Sequence, residues 1–254
     1  MRTEDILGYP VVAVSLDACV EGLVKGIATA GDGTAAKPLW LACLNPHSAQ
    51  IAMLDPAAEE ALKAADVLIP DGMGAVLASR ILGGGIRKRI TGSDIFRELS
   101  HRLNDRGGAS FFFLGSTEET LAAIETKLAR EFPRIRFAGA YSPPFKELFS
   151  EEENCAMITA INRAEPDVLW VGMTAPKQEK WIYENRDKLH VKFMAAVGAV
   201  FDFYTDNVKR SHPWFLEHGL EWLPRLLQEP RRLWRRTFIS APVFFWLVLK
   251  QKIR

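Results

Sequence analysis

Apolar residues along this chain gather in short unbroken runs, separated by longer stretches whose apolar positions recur at helical spacing. VVAVSL (11–16), PLWLACL (38–44), VLIP (67–70), SFFFLG (110–115), IRFAGAY (135–141), VLWVGM (168–173) and KFMAAVGA (192–199) are the predicted strands. Most of them do not alternate with polar residues, as expected of strands buried on both faces of a parallel sheet. Helical spacing marks 17–29, 48–65, 73–82, 93–106, 117–131, 150–164 and 176–188. Ser116 or Thr117 is placed to cap one helix, and Gly107-Gly108 to stop another. This alternation predicts an α/β fold: a Rossmann-like, mostly parallel sheet with helices on both faces. Open sheets of this kind take ligands beyond the carboxyl ends of their strands.

Strand signals end at Asp206, and two helical stretches follow at 212–228 and 230–249, with Pro230 at the break. The chain is therefore divided into a Rossmann-like core, 1–206, and a helical C-terminal appendage, 207–254. Its 254 residues suffice for one large α/β unit with such an appendage. At 48% hydrophobic and 25% charged, the composition is that of a globular protein, which excludes disorder, collagen-like repeats and a coiled coil. Cys19, Cys43 and Cys155 lie too far apart for a metal ribbon or a redox pair and are odd in number, so a reducing cytosol is expected. Glu4 and Asp5 ahead of the first apolar run are unlike a signal peptide. The longest uncharged apolar stretch, Thr237 to Leu249, has 13 residues. That falls short of the roughly 20 a spanning helix needs.

The net charge of +1 marks no nucleic-acid binder, but its distribution is uneven. From Asn207 onward ten Lys and Arg stand against three acidic residues, net +7, which leaves 22 basic and 28 acidic residues, net −6, in the first 206. The basic segment also holds Trp214, Phe215, Trp222, Trp234, Phe238, Phe244, Phe245 and Trp246. Cations interleaved with aromatic rings suit the headgroup boundary of an anionic membrane. A terminal helix pair packed on the core with a solvated basic face is the plainer alternative.

Familiar signatures are missing. There is no GxxxxGK[ST] loop, HExxH, GxSxG or metal-holding DxD, and Gly72-Met73-Gly74 completes no dinucleotide fingerprint. Polar residues do follow apolar runs: Asn45 after PLWLACL, Asp71 after VLIP, the TAPKQE segment from Thr174, and Asp202 beyond KFMAAVGA. Singly, each has a bland explanation, since Asn45 before Pro46 suits a helix cap and Asp71-Gly72 a turn. Together they outline a crevice. Asp71, at a strand end near apolar walls, is the candidate base. Arg87, Lys88 and Arg89 follow, and an arginine reaching back could hold a pyrophosphate by paired hydrogen bonds. Arg225, Arg232 and Arg235, spaced seven and three apart, share a helix face suited to an anionic leaving group or membrane phosphate, or to pairing with Glu221 and Glu229.

From the strand near 11 to about Arg236, the sequence resembles the WecG/TagA/CpsF glycosyltransferases. The resemblance is carried by LNPHS (44–48), PDGMG (70–74), RITGSD (89–94), APKQEKW (175–181), VGAVFDF (197–203) and GLEWLPRLLQEPRRLWRR (219–236). It implies a metal-independent, cofactor-free, inverting transfer of N-acetylmannosamine, its uronic acid or glucose from a UDP-sugar. The implied acceptor is a sugar on polyprenyl pyrophosphate, and the implied location is the cytoplasmic face of the cell membrane, with the enzyme peripheral. The family's catalytic aspartate falls on Asp71 and its substrate-site arginine on Arg89. Its asparagine and glutamine fall on Asn45 and Gln178, which would orient substrate hydroxyls, and its appendage arginines on Arg225, Arg232 and Arg235. The chain departs from the pattern at Cys43, where threonine is common, at Thr174, where glycine is usual, and at Arg210-Ser211-His212. Two rivals stay open: another nucleotide-using Rossmann enzyme such as an NAD-dependent epimerase, and a non-catalytic membrane-surface module. Homo-oligomerisation is left open too.

Overall fold

A computed structural model describes residues 1–30, 37–207 and 234–253. Eight strands form one sheet in the order β1-β2-β4-β3-β8-β7-β5-β6. They are β1 (Thr3–Ile6), β2 (Tyr9–Val12), β3 (Leu39–Leu44), β4 (Val67–Pro70), β5 (Ser110–Gly115), β6 (Arg136–Tyr141), β7 (Val168–Gly172) and β8 (Phe193–Ala196). Every pairing is parallel except the β1–β2 hairpin, so the architecture is the Rossmann-like one predicted from the alternation.

The unbroken apolar runs are explained by two cores, one on each face. Along β7, Leu169 and Val171 face one cluster while Val168 and Trp170 face the other. Along β5, Phe112 and Leu114 are separated in the same way from Phe111 and Phe113. Successive strand side chains point to opposite faces, so a strand covered on both sides must be apolar at every position. The first core is covered by α2 (Pro46–Leu54), α3 (Pro56–Lys63), α4 (Met73–Leu82), α7 (Glu151–Ala164) and α8 (Lys177–Asn185). The second is covered by α1 (Leu16–Thr29), α5 (Gly92–Asp105), α6 (Glu118–Glu131) and α9 (Val200–Tyr204). Trp170 anchors that second core, with edge-on contacts to Phe96, Phe111 and Phe193.

Three local expectations are corrected. The helix expected over 48–65 is two helices, because Asp55 accepts hydrogen bonds from the N–H groups of Ala57 and Ala58 and Pro56 starts a new one. The first long strand is Tyr9–Val12, not 11–16, because Ser15 caps α1 by accepting from the Ala18 N–H. Its hairpin partner β1 gave no apolar signal, being TEDI on a sheet edge. The stretch 212–228 lies outside the described residues. Within 230–249 the described part is a π-helical stretch, Arg236–Ser240, running into α10 (Ala241–Ile253). α10 lies against α2 and α4, and its Phe244 and Val248 are fully buried in the first core. Gln251 near its end accepts the Leu7 N–H at 2.8 Å and donates to the Asp5 carboxylate at 2.6 Å. Trp234, Phe238 and Trp246 face outward.

β3 is followed by a helix on one face of the sheet, and its neighbour β8 by a helix on the other. Where connections diverge between adjacent parallel strands, their carboxyl ends leave a crevice.

Candidate active site

The crevice begins with Asn45, the first residue past β3. As the N-cap of α2 its Oδ1 accepts the N–H groups of His47 and Ser48, both at 3.0 Å, while Ser48 Oγ accepts the Asn45 N–H at 2.9 Å. This reciprocal cap fixes the carboxamide. With the oxygen held by the helix, Nδ2 points the other way and donates to Asp71 Oδ2 at 3.1 Å.

Asp71 arrives on the neighbouring strand. β4 pairs with β3 up to Leu44↔Pro70, and the Asp71 N–H donates to the Leu44 carbonyl at 2.9 Å, so the two strand ends deliver their polar residues side by side. Gly72, at φ +87°, then turns the chain into α4, whose start carries no side-chain cap. The positive end of α4 therefore opens beside the carboxylate, where an anion would be favoured. Gly74 packs so closely on Pro46 that a β-carbon there would stand 2.3 Å from the proline Cγ. That contact locks the starts of α2 and α4 together.

Arg89 is half-buried and stands next to Ile90, whose N–H donates to the Pro70 carbonyl at 3.0 Å. The segment carrying Arg89 is thus pinned to the strand end that delivers Asp71. Thr91 caps α5 with Asp94, and Gly92 abuts the backbone of Val197 in the loop after β8. Asn45, Asp71 and Arg89 are accordingly gathered at one end of the sheet.

Gln178 is placed differently from a residue that reaches for substrate. It is 3% exposed, its Oε1 accepts the N–H groups of Gly198 at 2.9 Å and Met173 at 3.3 Å, and its Nε2 donates to Glu179 Oε1 at 2.9 Å. The side chain clamps the loop after β7 to the loop after β8. Glu179 is also buried, and burial pushes its carboxyl above the ordinary carboxylate range. Its other oxygen has no hydrogen-bond partner among the described residues. Beside this pair, the Cys43 thiol lies 3.7 Å from the Ala196 carbonyl and is held protonated by burial and by the charges of Asp71 and Glu179. Asp202 lies on α9 behind the β8 loop, and the Thr174 carbonyl accepts the Lys177 N–H at the start of α8.

Of the appendage arginines, Arg225 and Arg232 lie outside the described residues, and Arg235 is exposed. Arg235 stands close enough to His47 for its charge, with that of Arg236, to add to the burial that holds the His47 ring at a pKa of about 4. His47 Nδ1 lies 3.0 Å from Ser240 Oγ. Neither this contact nor the unpartnered Glu179 oxygen left a signal in spacing or composition. No set of three His, Cys, Asp or Glu side chains among the described residues is placed to hold a metal ion, and none of their helices is long and apolar enough to cross a membrane.

The model of the glycosyl transferase WecG/TagA/CpsF family matches residues 4–254. A Bacillus subtilis (strain 168) N-acetylglucosaminyldiphosphoundecaprenol N-acetyl-beta-D-mannosaminyltransferase is 30% identical over 252 residues, covering 99% of this chain and 93% of that protein. The protein of the same description from Bacillus spizizenii is 32% identical over 216 residues, 85% of this chain and 80% of its own. That from Staphylococcus aureus (strain MW2) is 27% identical over 230 residues, 91% and 87%.

Proposed function

The chain belongs to the WecG/TagA/CpsF family of glycosyl transferases, and from that membership we propose that it moves N-acetylmannosamine from a UDP-sugar to an N-acetylglucosamine carried on a polyprenyl diphosphate. The observation that carries the mechanism is the Asn45–Asp71 pair, a carboxylate held at 3.1 Å by a carboxamide that is itself fixed by a helix cap. In the proposed step the acceptor hydroxyl oxygen attacks the anomeric carbon, Asp71 takes the hydroxyl proton, and the bond from that carbon to the diphosphate oxygen breaks, with UDP leaving on the electron pair. Attack opposite the leaving group inverts the anomeric centre, so an α-linked donor gives the β product that the relatives' names describe. No covalent enzyme intermediate is required.

The departing diphosphate needs positive charge. Arg89 and the uncapped start of α4 supply it within the crevice, and Arg225, Arg232 and Arg235 add to it from the appendage. This account uses arginine and helix dipole in place of a metal ion. Gln178 acts by holding the β7 and β8 loops that wall the crevice. The appendage, with Trp234, Phe238 and Trp246 outward, lies on the cytoplasmic face of the membrane, where the lipid-linked acceptor is presented.

The test is transfer by the purified full chain from UDP-N-acetylmannosamine, its uronic acid and UDP-glucose to a short-chain N-acetylglucosaminyl diphospholipid, with and without EDTA. Expected is a β-linked disaccharide from the first donor, at a rate EDTA does not change. Transfer from a different donor overturns the sugar assignment. Silencing by EDTA with rescue by Mg²⁺ overturns the arginine-based departure of UDP.

A further inference from the structure

His47 joins its own helix cap to Ser240, a residue 193 positions further along the chain. Its backbone N–H donates to Asn45 Oδ1, the oxygen whose fixation leaves Nδ2 free to hold Asp71. Its ring lies against Ser240, at the junction of the π-helical stretch and α10. Ser240 is 1% exposed, and its hydroxyl proton has two acceptors in reach, Gln50 Oε1 at 2.7 Å and the Arg235 carbonyl at 3.3 Å. Both can only accept, so the serine has no proton left for the imidazole, and Nδ1 of a neutral ring must be the donor in the His47–Ser240 bond. A neutral ring suits its surroundings, since it is half-buried and flanked by two guanidinium groups.

We propose that His47 is a positioning residue for transfer: through Ser240 it senses whether the 234–253 segment is docked, and through its backbone it sets the Asn45 carboxamide that holds Asp71. The sequence of contacts is continuous, from Ser240 Oγ to the His47 ring, from the His47 N–H to Asn45 Oδ1, and from Asn45 Nδ2 to Asp71 Oδ2. α2 is nine residues long and its first turn contains His47, so a pull on the ring is delivered directly to the cap. The C-terminal segment thereby acts on the candidate base through the cap of α2. This inference rests on the assignment of Asp71 as base.

Ser240→Ala, His47→Ala and His47→Asn in the full chain provide the test, read by steady-state transfer and by backbone hydrogen exchange over residues 44–50. His47→Asn keeps an N–H donor near the position of Nδ1. Expected for Ser240→Ala is a fall of about tenfold in kcat with KM for the UDP-sugar unchanged, and faster exchange at the His47 and Ser48 amides that Asn45 now caps. His47→Ala should match it, the double variant Ser240→Ala/His47→Ala should be no worse than either alone, and His47→Asn should recover most of the rate. Unchanged kcat in Ser240→Ala overturns the proposal. So does a lower kcat with unchanged exchange at 44–50, which would place the effect in the appendage alone. If Asp71→Asn itself retains wild-type turnover, the assignment of the base has failed, an outcome distinct from both.

Discussion

Replacing Gly74 with alanine tests whether the crevice depends on the contact between two helix starts. The added β-carbon would stand 2.3 Å from Pro46 Cγ and 2.7 Å from Cδ, where ordinary contact is 3.4–4 Å. The obstacle is a proline ring, which cannot swing aside as a flexible side chain would. One helix start must therefore retreat by about 1 Å to restore ordinary contact. Overpacking of this kind costs about 1–3 kcal/mol. Alanine returns about 1 kcal/mol of helix propensity. The net loss is about 0–2 kcal/mol, which for a chain of this size lowers Tm by at most about 8 °C. Catalysis should suffer more. A 1 Å displacement carries Asn45 out of hydrogen-bond range of Asp71, now 3.1 Å, and misplacement on that scale costs roughly 10² in rate. The assay is kcat for transfer alongside thermal unfolding, with Gly22→Ala as control. There the nearest atom is the end of the flexible Met1 side chain, at 2.9 Å. A Gly74→Ala enzyme that keeps kcat within about twofold of wild type would refute the argument that this contact sets the site.

Asp71→Asn is expected to leave Tm within a few degrees of wild type and to cut transfer by about 10² to 10⁴, measured on the same acceptor; half-maximal turnover in a folded variant would remove Asp71 from the role of base. Because His47 is held at about 4 against an ordinary value of 6.5, its neutral form stabilises the fold fully above pH 6.5, and that contribution declines as pH falls from there toward 4. The full difference would be at most about 3 kcal/mol. Water access at the half-buried ring reduces it to about 1–2 kcal/mol, seen as a urea midpoint that drops more between pH 7 and pH 5 in wild type than in His47→Asn. Replacing Arg225, Arg232 and Arg235 together with alanine should lower transfer by roughly 10² even to a soluble acceptor analogue. A loss confined to liposome binding would instead make these arginines anchors.

Much of the fold was legible because each face of the parallel sheet is covered. VLIP, SFFFLG and VLWVGM needed to be apolar almost throughout, and they coincide with β4, β5 and, but for Met173, β7. β1 was invisible for the opposite reason: an edge strand with the pattern exposed, intermediate, exposed, buried needs only one apolar residue in four. Asn45 and Asp71 were legible as strand-end residues, and motif resemblance singled out each of them separately, but their contact follows from the β3–β4 register, which composition does not specify. Gln178 carried a motif signal that gave its position in the chain and not the direction of its side chain. The joining of His47 to Ser240 depends on how a helix late in the chain docks on one near its beginning, and local pattern carries no information about that.

The docking of α10 also has a consequence for how the chain is made. Val76 and Ala78 of α4 share a core with Phe244 and Val248, so part of that core is open until α10 has been made. β8 ends at Ala196 and α10 starts at Ala241, so at about 5–20 residues per second a nascent chain carries a complete set of strands and an uncovered apolar face for roughly 2 to 9 seconds. A ribosome that stops before α10 leaves a protein that has its candidate base and still shows that face. Such products would be marked for chaperones and proteases by their surface.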